Sequence, residues 1–253
     1  MNFEHVLAHH LIDEKFFHFM VGPVDMGLSP VILSMWGAAA LLTGFLALAS
    51  RAQSSVGRLA RGFVEPAVLF LREESLRPIF GEHTDHFLPY FLTLFFFLLA
   101  CNLFGLVPLT AGTTSNIAVP AAMAVCTLGM IFIVGIREQG LVDYFAHLAP
   151  SGVPWPVLIV LFPIELIGIF AKCFSLCIRL FANMIAGHVV SLSFLFLIFV
   201  FSGMSHAVGA AAAPGAVGLA LFAYLLDVLV AFLQAYIFTI LTAVFVGMSV
   251  HPH

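Results

Sequence analysis

Charged residues are scarce in this chain. Asp, Glu, Lys and Arg together make up 9% of its 253 residues, whereas hydrophobic residues make up 62%. A water-soluble domain typically carries about a quarter charged residues, so this chain has too little polar surface to cover itself in water. A bilayer accepts an apolar exterior when the backbone groups are satisfied internally, as they are in helices. The composition therefore predicts an all-α integral membrane protein.

Several other features are also missing. Nine Lys and Arg residues are too few for the positive stripe of a nucleic-acid-binding protein. The four cysteines lie within apolar runs without CxxC spacing, so we predict neither disulfides nor a metal site. The phosphate-binding pattern GxxxxGK[ST] is absent, so we expect no ATP chemistry and no cofactor in this chain. The acidic N-terminal segment is not expected to be a cleaved signal peptide.

Apolar runs divide the first half of the chain into spans. Residues 28–50, 87–110 and 117–136 each suit one crossing, which needs about 20 residues. Residues 1–27 are predicted to form an N-terminal tail. The segment 51–86 alternates Arg and Glu with apolar residues, which is typical of an interfacial amphipathic helix. The sequence therefore predicts three single crossings, with an interfacial helix after the first.

The C-terminal region has runs longer than a vertical crossing needs. Residues 156–205 are mainly apolar and would make a helix of roughly 75 Å. A second long run covers 219–248 after a glycine- and proline-containing connection at 206–218. We therefore predict a long tilted hairpin over 156–248, following a shorter helical hairpin over 87–136. The total is about five membrane-spanning helices in a single membrane domain.

The positive-inside rule gives an orientation for these spans. With five spans, only Lys15 lies on one side, and six arginines lie on the other. These are Arg51, Arg58, Arg61, Arg72, Arg77 and Arg137. The rule thus predicts a periplasmic N-terminus and a cytoplasmic C-terminus, and we favour a bacterial inner membrane over the alternative of an organellar membrane.

Ionisable side chains within spans are confined to the last two. A charge at a helix centre costs about 2.5–3.5 kcal/mol on insertion scales, so such residues usually serve a function. They are Glu165, Lys172, Arg179, His188 and Asp227. Their clustering predicts a polar interior or a water-filled cavity in the C-terminal hairpin.

Helical periodicity orders these groups. At about 100° per residue, four polar side chains share one face of the fourth span: Lys172, Ser175, Arg179 and Asn183. His188 points to the opposite side, and Asp227 shares a face of the fifth span with Gln234. One consistent arrangement places Gln234 near Arg179 and Asp227 near His188.

The chemistry of these residues suits proton transfer. Arginine does not deprotonate in proteins, so Arg179 is a permanent charge. Glu165, His188 and Asp227 can titrate, and an imidazole beside a carboxylate can relay protons. The pattern predicts two proton-handling regions separated by one fixed cation. That cation would block proton leakage by repulsion and attract a carboxylate from a partner.

Each of these residues also has a structural alternative. Arg179 could pair with backbone carbonyls, and His188 and Asp227 could form hydrogen bonds within the bundle. Glu165 and Lys172 could simply lie near an interface. Three polar side chains could serve in helix packing alone: Ser175, Asn183 and Gln234.

Three segments resemble one family. Residues 174–188, FSLCIRLFANMIAGH, resemble the signature of the a subunit (subunit 6) of F-type ATP synthase. Residues 102–108, NLFGLVP, and 233–238, LQAYIF, are similar to two further motifs of that family. Order, spacing and number of spans agree from about residue 85 onward.

The resemblance implies a non-catalytic, proton-conducting stator subunit. Its implied partners are a rotating c-subunit ring, b-type peripheral stalk subunits and other ATP synthase subunits. Protons would enter one half-channel, neutralise a ring carboxylate, travel with the ring and leave through a second half-channel. Such a role couples proton flow to rotation and ATP synthesis elsewhere in the complex.

The resemblance also assigns roles to individual positions. Arg179 matches the arginine that faces the ring carboxylates, with the positions of Asn183 and Gln234 near it. His188 and Asp227 match the periplasm-side half-channel, and Glu165 matches an acidic position on the cytoplasm-side route. Ser175 and Lys172 share the helical face of Arg179. We therefore place Ser175 near the gate and Lys172 on the cytoplasm-side route.

The chain departs from the best-known bacterial pattern at several positions. That pattern has an acid at the place of His188 and a histidine at the place of Asp227, so the pair is exchanged here. One imidazole and one carboxylate are preserved, and a relay survives. Asn116 stands where many relatives have Asp, and Ala182 replaces a common Gly.

Two other functions compete with this one. An ion-coupled secondary transporter would usually show inverted repeats or paired broken helices, and the sequence shows neither. A non-conducting scaffold would not need ionisable groups in both of the last spans. Copurification with a c-ring would discriminate among the three.

Overall fold

The computed structural model describes residues 20–21, 24–25, 30–50, 55–106, 116–140 and 155–250. These residues are predominantly helical, which confirms the predicted all-α class. Two-residue strands, β1 (Met20–Val21) and β2 (Val24–Asp25), pair antiparallel with Met20 opposite Asp25. The rest of the predicted tail, 1–27, lies outside the described residues.

Seven α-helices make up the described chain. They are α1 (Pro30–Ser50), α2 (Ser55–Leu69), α3 (Arg77–Phe80), α4 (Thr84–Gly105), α5 (Ala118–Gln139), α6 (Trp155–Met204) and α7 (His206–Val250). Within the described ranges, five helical stretches are long and apolar enough to cross a membrane, as predicted. The first is α1, and the second is the continuous helical stretch Ser55–Gly105, which ends in α4. The other three lie in α5, α6 and α7.

The segment before α4 is amphipathic, and its arginines form several ion pairs. A π-helix, Phe70–Leu76, joins α2 to α3, and a 3-10 turn, Gly81–His83, joins α3 to α4. Arg72 pairs with Asp85 at 2.8 Å. One apolar face of the segment is exposed, with Phe63 of α2 69% exposed, and another is buried, with Leu76 fully buried. This segment therefore presents both apolar and charged surface, as an interfacial helix does.

The last helix is longer than the sequence analysis predicted, whereas α6 has the predicted length. The connection predicted at 206–218 is wrong, because α7 begins at His206 and only Ser205 separates it from α6. Pro214 lies inside α7, directly after the run Ala210–Ala213. Alanine has the highest helix propensity, and an apolar environment rewards every backbone hydrogen bond that a helix closes. These effects outweigh the bond that proline removes.

The described chain divides into two compact units. The first comprises Met1–Phe45, Phe96–Asn116 and Leu180–Ala235. The second comprises Leu46–Phe95, Ile117–Arg179 and Tyr236–His253. Each long C-terminal helix therefore contributes to both units.

The second unit has its core around the C-terminal end of α7. The Tyr236 ring lies 5.6 Å from the Phe70 ring, and the Tyr236 hydroxyl contacts Ser75 Oγ at 3.4 Å. On another face of α7, Thr242 lies 3.5 Å from Thr127 of α5, hydroxyl to hydroxyl. Small residues at Ala243 and Gly247 allow neighbours to approach closely, and both are buried. This packing fixes the interfacial segment against the last helix.

Replacing Gly247 by alanine should destabilise this unit. A Cβ atom at position 247 would overlap the Cγ2 methyl of Ile79, a branched and therefore stiff side chain. Overpacking of this kind costs about 1–3 kcal/mol. We expect Gly247→Ala to lower the thermal unfolding temperature of the chain in detergent. Ile79→Ala in the same chain should restore part of the loss.

Gly129→Ala provides the control for this substitution. Gly129 lies within α5, and a Cβ atom there would meet nothing within 4 Å. An equal loss of stability in both glycine variants would show that helix flexibility, rather than contact with Ile79, is responsible.

Candidate functional site

A small cavity lies in the first unit, where α4, α6 and α7 meet. It leaves about 10 Å³ for the centre of a water-sized sphere, which is room for about one water molecule. The lining residues are Asn102, Leu106, Asn183, Met184, Gly187, Asp227, Val230, Ala231 and Gln234. Four of them carry polar or ionisable side chains within otherwise apolar spans. Such groups are costly in a membrane and mark functional sites more often than packing.

Two predicted site residues meet directly across this cavity. The Asn183 Nδ2 of α6 donates a hydrogen bond of 2.8 Å to the Gln234 Oε1 of α7. Gln234 is 3% exposed, and its Nε2 has no hydrogen-bond partner within the described residues. A buried N–H group without a partner is costly, so this amide is available to bind something in the cavity. This hydrogen bond links α6 to α7 at the level of the cavity, and the predicted approach of Gln234 to Arg179 stays a prediction.

Asp227 lines the same cavity and packs against a glycine. The side chain is half-buried and has interaction partners of its own. A Cβ atom placed on Gly187 would lie 2.8 Å from Asp227 Oδ1 and 3.0 Å from Oδ2. Real Cβ atoms essentially never come closer than 3.0 Å to a neighbour. The missing side chain of Gly187 therefore creates the space that the carboxylate occupies against α6.

His188 follows Gly187 in α6, but its side chain lies outside the described residues. The predicted relay between His188 and Asp227 therefore stays a prediction. What the structure adds is that the residue next to His188 contacts the Asp227 carboxylate.

Asn102 also lines the cavity, although the sequence analysis gave it no role beyond its motif. It is 1% exposed, and its Nδ2 donates to the Ala231 carbonyl of α7 at 3.3 Å. The available signal was a carboxamide inside an otherwise apolar span. That signal alone could not identify its partner, because the partner is a backbone atom of a helix far along the sequence.

The remaining candidates belong to the second unit. Arg179 is half-buried in α6 and forms no ion pair or hydrogen bond with any residue that the structure describes. The Lys172 ammonium lies 5.3 Å from the centre of the Phe245 ring, a cation–π contact with α7. Glu165 and Ser175 are exposed on α6. The structure therefore leaves the Arg179 guanidinium available to a group from outside the described chain.

In the part of the chain that the structure describes, no three His, Cys, Asp or Glu residues lie close enough to hold a metal ion.

Comparison with known proteins adds a family to this geometry. The model of the family "ATP synthase A chain" matches residues 32–247. The chain is 42% identical over 236 residues to ATP synthase subunit a of Anaeromyxobacter sp., an alignment that covers 92% of this chain and 56% of that protein. It is 40% identical over 259 residues to ATP synthase subunit a of Chloroherpeton thalassium, covering 96% and 75%.

A third relative gives a similar result. ATP synthase subunit a 2 of Chlorobaculum tepidum is 36% identical over 263 residues, covering 96% of this chain and 72% of that protein. The chain thus spans little more than half of the Anaeromyxobacter relative's length and about three quarters of the other two. The range matched by the family model, 32–247, includes all the residues that line the cavity.

Proposed function

Because the chain belongs to the ATP synthase A chain family, we propose that it is the proton-conducting stator subunit of an F-type ATP synthase. In this role it provides two half-channels that load and unload carboxylates of a c-subunit ring. Members of the family are non-catalytic subunits of the membrane sector, and this chain has the multi-pass character of that sector. Proton flow through it would be coupled to ring rotation and ATP synthesis.

The observation that carries this proposal is the cavity of the first unit. A titratable carboxylate, Asp227, shares it with the hydrogen-bonded amides of Asn183 and Gln234. A carboxylate can take up and release a proton, whereas amides orient hydrogen bonds without holding one. The arrangement therefore suits proton passage better than a purely structural contact between helices.

Proton entry is assigned to the periplasm-side groups. Asp227 and His188 would accept protons from water on that side, and Asn183 and Gln234 would guide them toward the ring. The unpartnered Gln234 N–H offers a donor at the inner end of this route. Protonation of a ring carboxylate removes its charge, so that the ring can carry it into the lipid.

Arg179 is assigned the gate between entry and exit. It lies four residues before Asn183 in α6, which is about one helical turn. Its permanent charge would attract an ionised ring carboxylate and repel protons that might pass between the half-channels. The exposed Ser175 lies one turn before Arg179 and would border the same contact with the ring.

Proton exit is assigned to Glu165 and Lys172. The exposed carboxylate of Glu165 would receive the proton on the cytoplasmic side. Lys172 is held on the Phe245 ring, and a cation in that place favours the ionised form of a passing ring carboxylate. A membrane potential supplies about 2.3 kcal/mol per charge per 100 mV for the whole passage.

The proposal extends to partners and location. The partners are the c-ring, b-type peripheral stalk subunits and the remaining ATP synthase subunits. The chain would lie in a bacterial inner membrane with its N-terminus in the periplasm and its C-terminus in the cytoplasm, as the distribution of arginines suggests.

The test is complementation of cells that lack the chain. Inverted membrane vesicles should acidify on addition of ATP only when the chain is present, and a tagged chain should copurify the c-ring. Unchanged acidification without the chain would contradict the proposal, as would purification of the tagged chain from active membranes without the c-ring.

A further inference from the structure

Asn102 lies where α4 contacts α7, two of the three helices that line the cavity. Its carboxamide is almost completely buried in α4, and it contacts the backbone of α7. We propose that Asn102 is a positioning residue of the proton path, which fixes the turn of α7 that carries Asp227 and Gln234. This inference rests on the proposed function and assigns a role that the half-channel assignments above leave open.

The position of the hydrogen bond carries the argument. Asn102 Nδ2 donates to the carbonyl oxygen of Ala231 at 3.3 Å. Ala231 lies four residues after Asp227 and three residues before Gln234, so the three residues share one face of α7. A hydrogen bond at Ala231 therefore fixes the positions of Asp227, about one turn before it, and Gln234, about one turn after it.

The same hydrogen bond is not needed to complete the backbone of α7. Inside a helix, a carbonyl accepts from the N–H four residues later, and it has a second lone pair to offer. Asn102 uses this second lone pair. An apolar residue at position 102 would leave the helical hydrogen bonds of α7 in place and remove the hydrogen bond that Asn102 donates to it.

The chemistry of the side chain suits such a role. Burial of an amide is costly unless it is hydrogen-bonded, so a leucine would be the simpler choice for packing alone. A carboxamide does not titrate near neutral pH. Asn102 can therefore orient the proton-carrying wall without trapping a proton itself.

The experiment compares two substitutions in assembled complexes. ATP-driven acidification of inverted vesicles is measured per assembled complex across a range of pH. We expect Asn102→Leu, which has similar size but no donor, to lower the rate about three- to tenfold and to shift its pH profile. Asn102→Asp should approach the unsubstituted rate at low pH, where a protonated carboxyl can donate to the Ala231 carbonyl. Its pumping rate should fall as the pH rises, because an ionised carboxylate cannot donate.

The control is a buried residue of the same helix. Leu98 lies one turn before Asn102 and is 1% exposed. Leu98→Ala removes packing without a polar link, so it should lower the amount of complex without moving the pH profile per complex.

Three results would overturn the positioning role. They are normal pumping in Asn102→Leu, a loss with the same unshifted profile as Leu98→Ala, and equally low pumping by Asn102→Asp at low and high pH. In each case the unsubstituted complex still pumps, and the proposed function stands. Failure of the unsubstituted complex itself to pump would instead contradict the proposed function.

Discussion

Arg179→Ala is expected to abolish ATP-driven proton pumping by a complex that still assembles. The guanidinium is half-buried and has no ion pair with any described residue, and in the proposed function its counter-charge is a carboxylate of the c-ring. Two opposite charges 4 Å apart attract each other by about 4 kcal/mol at an effective dielectric constant of 20. At 1.36 kcal/mol per factor of ten, loss of that attraction would lower the occupancy of the position beside residue 179 by an ionised ring carboxylate about a thousandfold.

The same substitution should also raise passive proton flow. With the catalytic sector removed, vesicles that contain Arg179→Ala should lose an imposed pH gradient faster than unsubstituted vesicles, because the repulsive charge between the half-channels is gone. Arg179→Lys keeps the charge but not the planar fork of donors. It should therefore suppress the leak while restoring only part of the pumping.

Arg137→Ala is the matched control. Arg137 lies in the last turn of α5, outside the cavity, and is exposed. It should pump at the unsubstituted rate. Normal pumping by Arg179→Ala would refute the gate and return Arg179 to a structural role, whereas equal losses in both variants would point to a general effect of removing positive charge.

The sequence predicted the five spans because their apolar runs are long and uninterrupted. It misjudged the junction of α6 and α7, because Pro214 and nearby glycines are typical of loops in water. In an apolar environment the helix continues through them, since every unformed backbone hydrogen bond is costly there. Only Ser205 interrupts the two helices.

The candidate site was predictable to a similar degree. Asn183, Asp227 and Gln234 stand out as polar residues at helical spacing, and the structure places all three at one cavity. Gly187 carries no comparable signal, and Asn102 stands out only as a carboxamide inside an otherwise apolar span. Their importance comes from what lies opposite them, a carboxylate in one case and a backbone carbonyl in the other, and sequence spacing along one helix cannot reveal either contact.

Gly187→Ala should impair proton pumping through its effect on Asp227. The added methyl group would lie 2.8 Å from the carboxylate oxygen, so the carboxylate must leave its place against α6. Overpacking of this kind costs about 1–3 kcal/mol. We therefore expect pumping per complex to fall about tenfold or more, with a shifted pH dependence, because the displaced carboxylate meets different surroundings.

A glycine in the same helix separates this effect from helix flexibility. A Cβ atom on Gly168 would meet nothing within 4 Å, so Gly168→Ala should pump normally. Asp227→Asn removes the titratable group and should itself lower pumping strongly. If Gly187→Ala acts by moving that group, adding it to Asp227→Asn should cause little further loss, because residues that act as one unit are not additive.

The double variant shows whether Gly187 serves to position the Asp227 carboxylate or only to pack α6. Normal pumping by Gly187→Ala would show that the Asp227 carboxylate functions equally well elsewhere, and the role assigned to Gly187 would be wrong. Fully additive losses would mean that the glycine serves the packing of α6 independently of proton transfer. A loss confined to chains with an intact Asp227 would tie the absence of a side chain at position 187 directly to the position of a proton carrier.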